Sequence, residues 1–134
     1  MVGTADSVGR GRIVLVVEDN ARSRRLVADL LDLHGFDVVE AETAELGLDA
    51  ARQKRPDLVL LDVQLPGMDG VGALQALRAD PELASIPVVA VTAFAMRGDE
   101  DRFLSEGFDS YISKPIDVRT FVDQLCGVLD RGTG

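Results

Sequence analysis

The chain is short of the residues that several kinds of site require. Its single cysteine, Cys126, leaves no partner for a disulfide or a paired-thiolate metal site, and its place beside Leu125 and Leu129 at apolar spacing reads as core packing. Its single histidine, His34, falls in the last turn of a helical pattern just before Gly35. The helix dipole explains a histidine there without a phosphodonor or metal role. Positive charge is scarce: 14 Lys and Arg stand against 23 Asp and Glu, a net charge of −9 that repels a nucleic-acid backbone, so direct DNA binding is not expected. No apolar run approaches the ~20 residues of a membrane span. The first twelve residues are rich in Gly, Ser, Asp and Arg without an apolar core. They read as a disordered lead-in and not a signal peptide, which predicts a cytoplasmic protein with no membrane insertion.

What is present suits one globular domain, 46% hydrophobic and 28% charged over 134 residues, enough to bury a full core. Short apolar runs alternate with helical periodicity along it. Ile13 to Val17 is a β-rich run ending on Glu18 and Asp19. Asn20 then offers a helix N-cap, and Leu26, Val27, Leu30 and Leu31 recur at helical spacing. Phe36 to Glu40 reads as a second strand, followed by a helix capped by Thr43 and reaching about Lys54, with Leu46, Ala50 and Ala51 as its apolar stripe. Asp57 to Leu61, bounded by Pro56, is too short for a helix and predicts a strand buried on both faces. It ends on Asp62, and the turn-formers Pro66, Gly67 and Gly70 follow.

A helix with Val71, Leu74 and Leu77 inward stops at Asp80-Pro81. Ile86 to Val91 predicts a fourth strand closed by Thr92. Ala93 to Gly98 reads as a loop before a short helix with Phe103 and Leu104 inward, and Asp109 to Ser113 is the fifth strand. Lys114 and Pro115 end it, and Asp117 is the expected cap of a last helix whose apolar face is Val118, Phe121, Val122, Leu125 and Leu129. The domain is expected over residues 13–130, with 131–134 as a tail.

Five strand–helix units in succession predict an α/β, doubly wound (βα)5 fold with a parallel sheet and right-handed crossovers. The apolar first, third and fourth strands suit the centre and the more polar second and fifth the edges. This agrees with the order 2-1-3-4-5, although periodicity alone leaves the order open. Ligands of such sheets bind at the carboxyl edge, where these strands would deliver Glu18, Asp19, Asp62, Thr92 and Lys114. Three converging carboxylates repel one another unless a cation compensates them. Mg2+, which takes oxygen ligands and shares its shell with phosphate, fits that need. The Thr92 hydroxyl and the Lys114 charge could then hold the other oxygens of a phosphoryl group on Asp62.

From about Ile13 to Leu129 the chain resembles the response-regulator receiver domains of two-component signalling. The resemblance is carried by Glu18-Asp19, the Asp62 run with Pro66 and Gly70, Thr92-Ala93, and Tyr111-Ile112-Ser113-Lys114-Pro115. The stretches from Ile86 to Glu100 and from Tyr111 to Pro115 are similar in particular to stand-alone, single-domain receivers, and similar stretches occur in receivers joined to hybrid histidine kinases. The resemblance implies a flavodoxin-like, CheY-like fold in which Asp62 accepts a phosphoryl group from a histidine kinase or histidine phosphotransferase. Asp19, Asp62 and the backbone carbonyl of Gln64 would hold Mg2+ directly, and Glu18, where many members have Asp, would act through a metal-bound water. Thr92 would move toward the phosphoryl oxygens, Lys114 would pair with them, and the Lys114–Pro115 peptide would be cis. Gln64 and Phe94 would tune the phosphoryl lifetime.

Tyr111, which alone reads as a packing residue, becomes under that resemblance a switch that turns inward with Thr92. The turn would remodel the face of the fourth helix, fifth strand and fifth helix for a protein reader, a kinase or an adaptor. Such a protein is not a separate enzyme; it takes part in its own phosphoryl transfer and autodephosphorylation, as a monomer or weak dimer. Three other readings bear on the same residues. A Mg2+-dependent phosphohydrolase would carry a second acid where this chain has Gln64. A cofactor binder would need a phosphate loop where Glu18-Asp19-Asn20-Ala21 stands, and Gly9-Arg10-Gly11 precedes a strand instead of following one. A receiver-fold interaction module acting without phosphorylation would not need the site residues, all of which are here.

Overall fold

The computed structural model describes residues 11–64, 69–93 and 99–133. In chain order the elements are β1 (Ile13–Val17), α1 (Ala21–Leu33), β2 (Asp37–Ala41), α2 (Ala44–Lys54), β3 (Leu58–Asp62), α3 (Gly70–Ala79), β4 (Val88–Thr92), α4 (Asp99–Glu106), β5 (Ser110–Ser113) and α5 (Phe121–Thr133). The strands form one parallel sheet in the order β2-β1-β3-β4-β5, the order that the polarity of the strands favoured. Every residue of β3 and β4 is buried, as a strand covered on both faces must be.

Alternation along each strand sorts the apolar side chains into two cores. Leu15, Val17, Val59, Leu61, Val88 and Ala90 pack with Leu48 of α2, Leu74 of α3 and Phe103 of α4. Val14, Val16, Leu58, Leu60, Val89 and Val91 pack with Leu31 of α1 and Phe121 and Leu125 of α5. Each fully buried Val, Leu or Phe contributes roughly 1.5–3 kcal/mol, so this two-sided packing is what fixes the strand ends in space. The hydrogen-bond ladder runs on past those ends: Glu18 N–H donates to Ala41 O at 3.0 Å, Val63 N–H to Val91 O at 3.1 Å and Lys114 N–H to Thr92 O at 2.8 Å.

Asn20 and Thr43 cap α1 and α2 as expected, accepting from Ser23 N–H and Leu46 N–H. Asp69, which the sequence reading did not single out, caps α3 by accepting from Gly72 N–H at 2.8 Å. At the amino ends of β4 and β5 the Arg78 guanidinium donates to Ala84 O, Ile86 O, Gly107 O and the Asp109 carboxylate at 2.7–3.0 Å. The same Asp109 oxygen accepts Val88 N–H at 2.8 Å. One arginine thus ties α3, the start of β4 and the α4–β5 turn together.

Several expectations shift. β2 starts at Asp37, because Phe36 closes the end of α1: its ring is buried and its N–H donates to Leu31 O at 3.1 Å. β4 begins at Val88 and takes in Thr92. On α2 the inner stripe is Ala44, Leu48 and Ala51, and Leu46 is 50% exposed. On α4, among the residues whose burial is described, only Phe103 turns inward; Leu104 is 45% exposed, because the inward stripe of this short helix is narrow. Asp117 heads a turn instead of capping α5, accepting Arg119 N–H on its carboxylate and Phe121 N–H on its carbonyl, and Val118 is exposed. α5 runs through Thr133, into the stretch expected as a tail. Arg12, placed in the lead-in, already joins the sheet by accepting Asp37 N–H. Pro66, Gly67, Phe94 and the rest of the loop to Gly98, together with residues 1–10, lie outside the described residues.

After β3 the chain folds back so closely that a Cβ on Gly70 would lie 2.6 Å from Val63 Cα and 2.8 Å from Asp62 O. Both neighbours are backbone and cannot yield. Gly70→Ala is expected to destabilise the fold by about 1–3 kcal/mol in urea unfolding, and to disturb the strand end that carries Asp62.

Candidate functional site

The parallel register brings the ends of β1, β3, β4 and β5 level, and each end carries polar residues at that edge. Asp62 ends β3, Thr92 ends β4, Glu18 follows β1 and Lys114 follows β5. Glu18, Asp62 and Thr92 are buried, and Asp19 is exposed. Glu18, Asp19 and Asp62 each offer an oxygen within 4.8 Å of the others. The Lys114 ammonium donates to Glu18 Oε1 at 2.5 Å and to Asp62 Oδ2 at 3.1 Å. The remaining carboxylate oxygens are held by backbone: Asn20 N–H donates to Glu18 Oε2 at 3.0 Å and Gln64 N–H to Asp62 Oδ1 at 2.9 Å. Arg24 donates to the Glu18 carbonyl at 2.9 Å, a contact across the first turn of α1 that sequence reading missed. The Lys114–Pro115 peptide is cis, as the resemblance implied.

The electrostatics follow from crowding. Burial pushes the Glu18 carboxyl above its usual pKa; the neighbouring Asp62 adds to the rise, and Lys114 and Asn20 N–H pull against it. Burial alone would lower the Lys114 pKa, but the hydrogen bond to Glu18 and the charge of Asp62 outweigh it, so the ammonium is held above its usual value. Three carboxylates against one ammonium leave a net charge of about −2, which one divalent cation would balance. The donors are hard oxygens, the set a Mg2+ or Ca2+ ion takes. The cluster of Glu18, Asp19 and Asp62 therefore fits a hard dication.

Next to this cluster lies a cleft of about 380 Å3 between α1 and the turn after β5. Its floor is Val16, Leu60 and Val91; Leu26, Val27 and Ile116 form apolar walls, and Glu18, Asp62 and Lys114 stand among its lining residues. No sequence pattern announces it, because it exists only where α1 and the β5–α5 turn approach each other. Leu26, 50% exposed, is a visible sign of it on α1. Tyr111 is half-buried, its ring centroid 5.9 Å from that of Phe103. His34 stands apart from the site, at the end of α1, with Nδ1 2.9 Å from Leu30 O. Cys126 is half-buried in the α1/α5 core, and burial raises its thiol pKa, in keeping with packing.

An acid cluster with its lysine at the carboxyl edge of a doubly wound sheet is the arrangement of a response regulator. The family model for the response regulator receiver domain matches residues 14–125, and the chain belongs to that family. Over 112 residues it is 45% identical to the polar-differentiation response regulator DivK of Brucella anthropi, covering 84% of this chain and 91% of that protein. The DivK of Brucella ovis is 44% identical over the same shares. Among solved structures, the chemotaxis response regulator CheY4 of Vibrio cholerae superposes with a TM-score of 0.82 at 25% identity, covering 87% of this chain and 98% of that one. A receiver domain protein from Methanospirillum hungatei gives 0.80 at 28% identity, over 91% and 96%. The protein is a receiver of two-component signalling, and no helix among its described residues is long and apolar enough to cross a membrane.

The raised Glu18 pKa has a direction in pH. A carboxyl whose pKa rises on folding contributes stability while it is protonated, and that contribution is lost as the pH rises through the raised value. In metal-free buffer the parent is expected to lose thermal stability from mildly acid to neutral pH more steeply than Glu18→Gln. Melting curves of both proteins across that range check this, and parallel curves would refute it.

Proposed function

We propose that this protein is a phosphoacceptor switch whose Asp62 carboxylate takes a phosphoryl group from the phosphohistidine of a histidine kinase or histidine phosphotransferase. The observation that carries the reading is the Lys114 ammonium set between Glu18 and Asp62 within the acid cluster. A carboxylate that only capped a turn would not need two acids and a cation around it. In the transfer a P–N bond of the donor breaks, an Asp62 oxygen forms the new P–O bond, and the imidazole nitrogen keeps the electron pair. Such transfers ask for positioning and charge neutralisation more than for covalent chemistry by the acceptor. Gln64 N–H and Lys114 each hold one Asp62 oxygen, which aims the carboxylate. Asp19, Asp62 and the Gln64 carbonyl would hold Mg2+, with Glu18 acting through water, and the ion would supply charge neutralisation for the phosphoryl oxygens.

With the phosphoryl group in place, Lys114 pairs with its oxygens and the Thr92 hydroxyl turns toward them. Gln64 and Phe94 set how long it lasts before water removes it. Tyr111 then carries the change to the face of α4, β5 and α5, where a protein reader, a kinase or an adaptor, binds. A net charge of −9 favours a protein reader over nucleic acid, and we place the protein in the cytoplasm. The 45% identity to DivK over 91% of that relative supports a receiver of the DivK kind.

The donor side has its own support. The first turns of α1 carry Arg22, Arg24 and Arg25 and no acid in the first turn, against the preference of a helix N-terminus for negative charge. This basic end and the exposed Leu26 adjoin the Asp62 edge, where a donor must bring its phosphohistidine.

With Mg2+ and a small phosphodonor, intact mass is expected to show the gain of one phosphoryl group. Asp62→Asn and EDTA are each expected to abolish it; full labelling of Asp62→Asn would refute the assignment, and an unlabelled parent would point to a module that works without phosphorylation. Mg2+ alone, at a hundredfold excess over its Kd, is expected to add about 2.7 kcal/mol of stability, and Asp19→Asn should lose most of that gain in thermal melts. Arg22→Ala and Arg25→Ala are expected to slow transfer from a phosphorylated donor by about tenfold, as loss of steering charge does, and leave labelling by the small phosphodonor unchanged.

A further inference from the structure

Of the six aromatic residues in the chain, three meet where α4 turns into β5. Gly107 leaves α4 in the left-handed region at φ +113. Its N–H donates to Leu104 O, and Phe108 N–H donates to Phe103 O, both at 3.1 Å. These are the paired bonds of a Schellman closure, which brings the side chains on either side of the turn together. Here those side chains are Phe103 and Phe108, with ring centroids 5.9 Å apart and planes at 85°, an edge-to-face contact. Phe103 also meets Tyr111 of β5 at 5.9 Å between centroids and 41° between planes. Phe103 and Phe108 are 1% and 3% exposed, whereas Tyr111 is half-buried. One ring therefore belongs to both contacts, and it is the ring that α4 turns inward.

We infer that Phe103 is a positioning residue that couples α4 to Tyr111, limiting how far the tyrosine ring can turn inward. Close-packed interiors have no spare room, so further inward rotation of Tyr111 must displace Phe103, and α4 with it. The carboxyl end of α4 is tied down, because Arg78 donates to Gly107 O at 2.9 Å and to Asp109 next to it. The helix must therefore pivot, moving most at its amino end. Tyr111 lies in register with Ala90, two residues before Thr92 on β4, so the lever stands beside the proposed switch. Its use in signalling rests on the function proposed above. The coupling itself is a property of the unphosphorylated protein.

The chain has one tyrosine and no tryptophan, so tyrosine fluorescence reports Tyr111 alone. In the unphosphorylated full chain, Phe103→Leu is expected to lower acrylamide quenching of Tyr111 by about twofold as the ring settles into the vacated space, and Phe108→Leu is expected to change it far less. Phe103→Met, similar in volume to leucine but unbranched and better able to fill an irregular gap, serves if the leucine variant does not fold, as judged by circular dichroism. Coupling between two sites is reciprocal. Tyr111→Ala is therefore expected to speed amide exchange at Phe103 and Leu104, whose N–H groups lie inside α4, by about fivefold or more, leaving Gly107 and Phe108 unchanged. Unchanged quenching in the folded Phe103 variant, or unchanged exchange in Tyr111→Ala, would overturn the coupling. Labelling of Asp62 by mass is a separate readout, so its failure would overturn the switch reading and leave the coupling standing.

Discussion

The ammonium of Lys114 reaches two carboxylates that lie 96 and 52 residues away in sequence. Nothing local brings these groups together; they meet because β1, β3 and β5 end at one level in a parallel sheet. The arrangement is costly by itself. Glu18 and Asp62 are both about 5% exposed, and the raised pKa of Glu18 shows that burial beside Asp62 is not fully offset by the lysine. A buried ion pair of this kind adds little net stability compared with apolar packing of similar volume. The two apolar cores above and below the sheet must therefore supply the stability that the carboxyl edge does not, and β3 and β4, buried at every residue, are where they do so.

The two ends of the sheet are built on opposite principles. At the amino ends of β4 and β5, Arg78 pairs with three carbonyls and with the Asp109 carboxylate, which also accepts Val88 N–H, and these charge-assisted bonds hold that end together. At the carboxyl ends, three carboxylates outnumber the one ammonium among them, and an apolar cleft opens next to them. Under the function proposed above, a phosphoryl group would shift the protein between two arrangements only through differential interaction with them, and the held amino ends would give such a shift a fixed base.

The sequence made the strands and their polar ends legible because both depend on near neighbours: short continuous apolar runs closed by Glu18, Asp62 and Thr92 need no tertiary information. Lys114 followed from the same runs, whereas the order of the strands was only favoured by their polarity and left open by periodicity, until the sheet itself gave it. The phases of the short helices were harder to read. Leu46 and Leu104 are as apolar as Leu48 and Phe103, and only the position of the sheet decides which pair is covered. Asp117 was read as a cap from its residue type alone, but its carboxylate bonds two residues on and makes a turn before the helix. The Arg78 network and the cleft were invisible, since each depends on elements that approach one another only after the sheet is built.

α1 shows how a local penalty can mark an interface. Basic residues crowd its amino end, and Asp29 and Asp32 lie in its second half, so its charges run against its own dipole. Arg24 and Arg25 recover part of the cost through Glu40 on β2, at 3.2 and 3.1 Å, but these are partly exposed pairs worth at most ~1 kcal/mol each. Arg24 also holds the Glu18 carbonyl, which ties the unfavourable charge directly to the acid cluster. A helix chosen for stability alone would place acids in that first turn. There they would add to the negative charge at Glu18, Asp19 and Asp62, and would repel an anionic donor group approaching Asp62. The basic end of α1 is thus accounted for by the site it borders, not by the helix it belongs to.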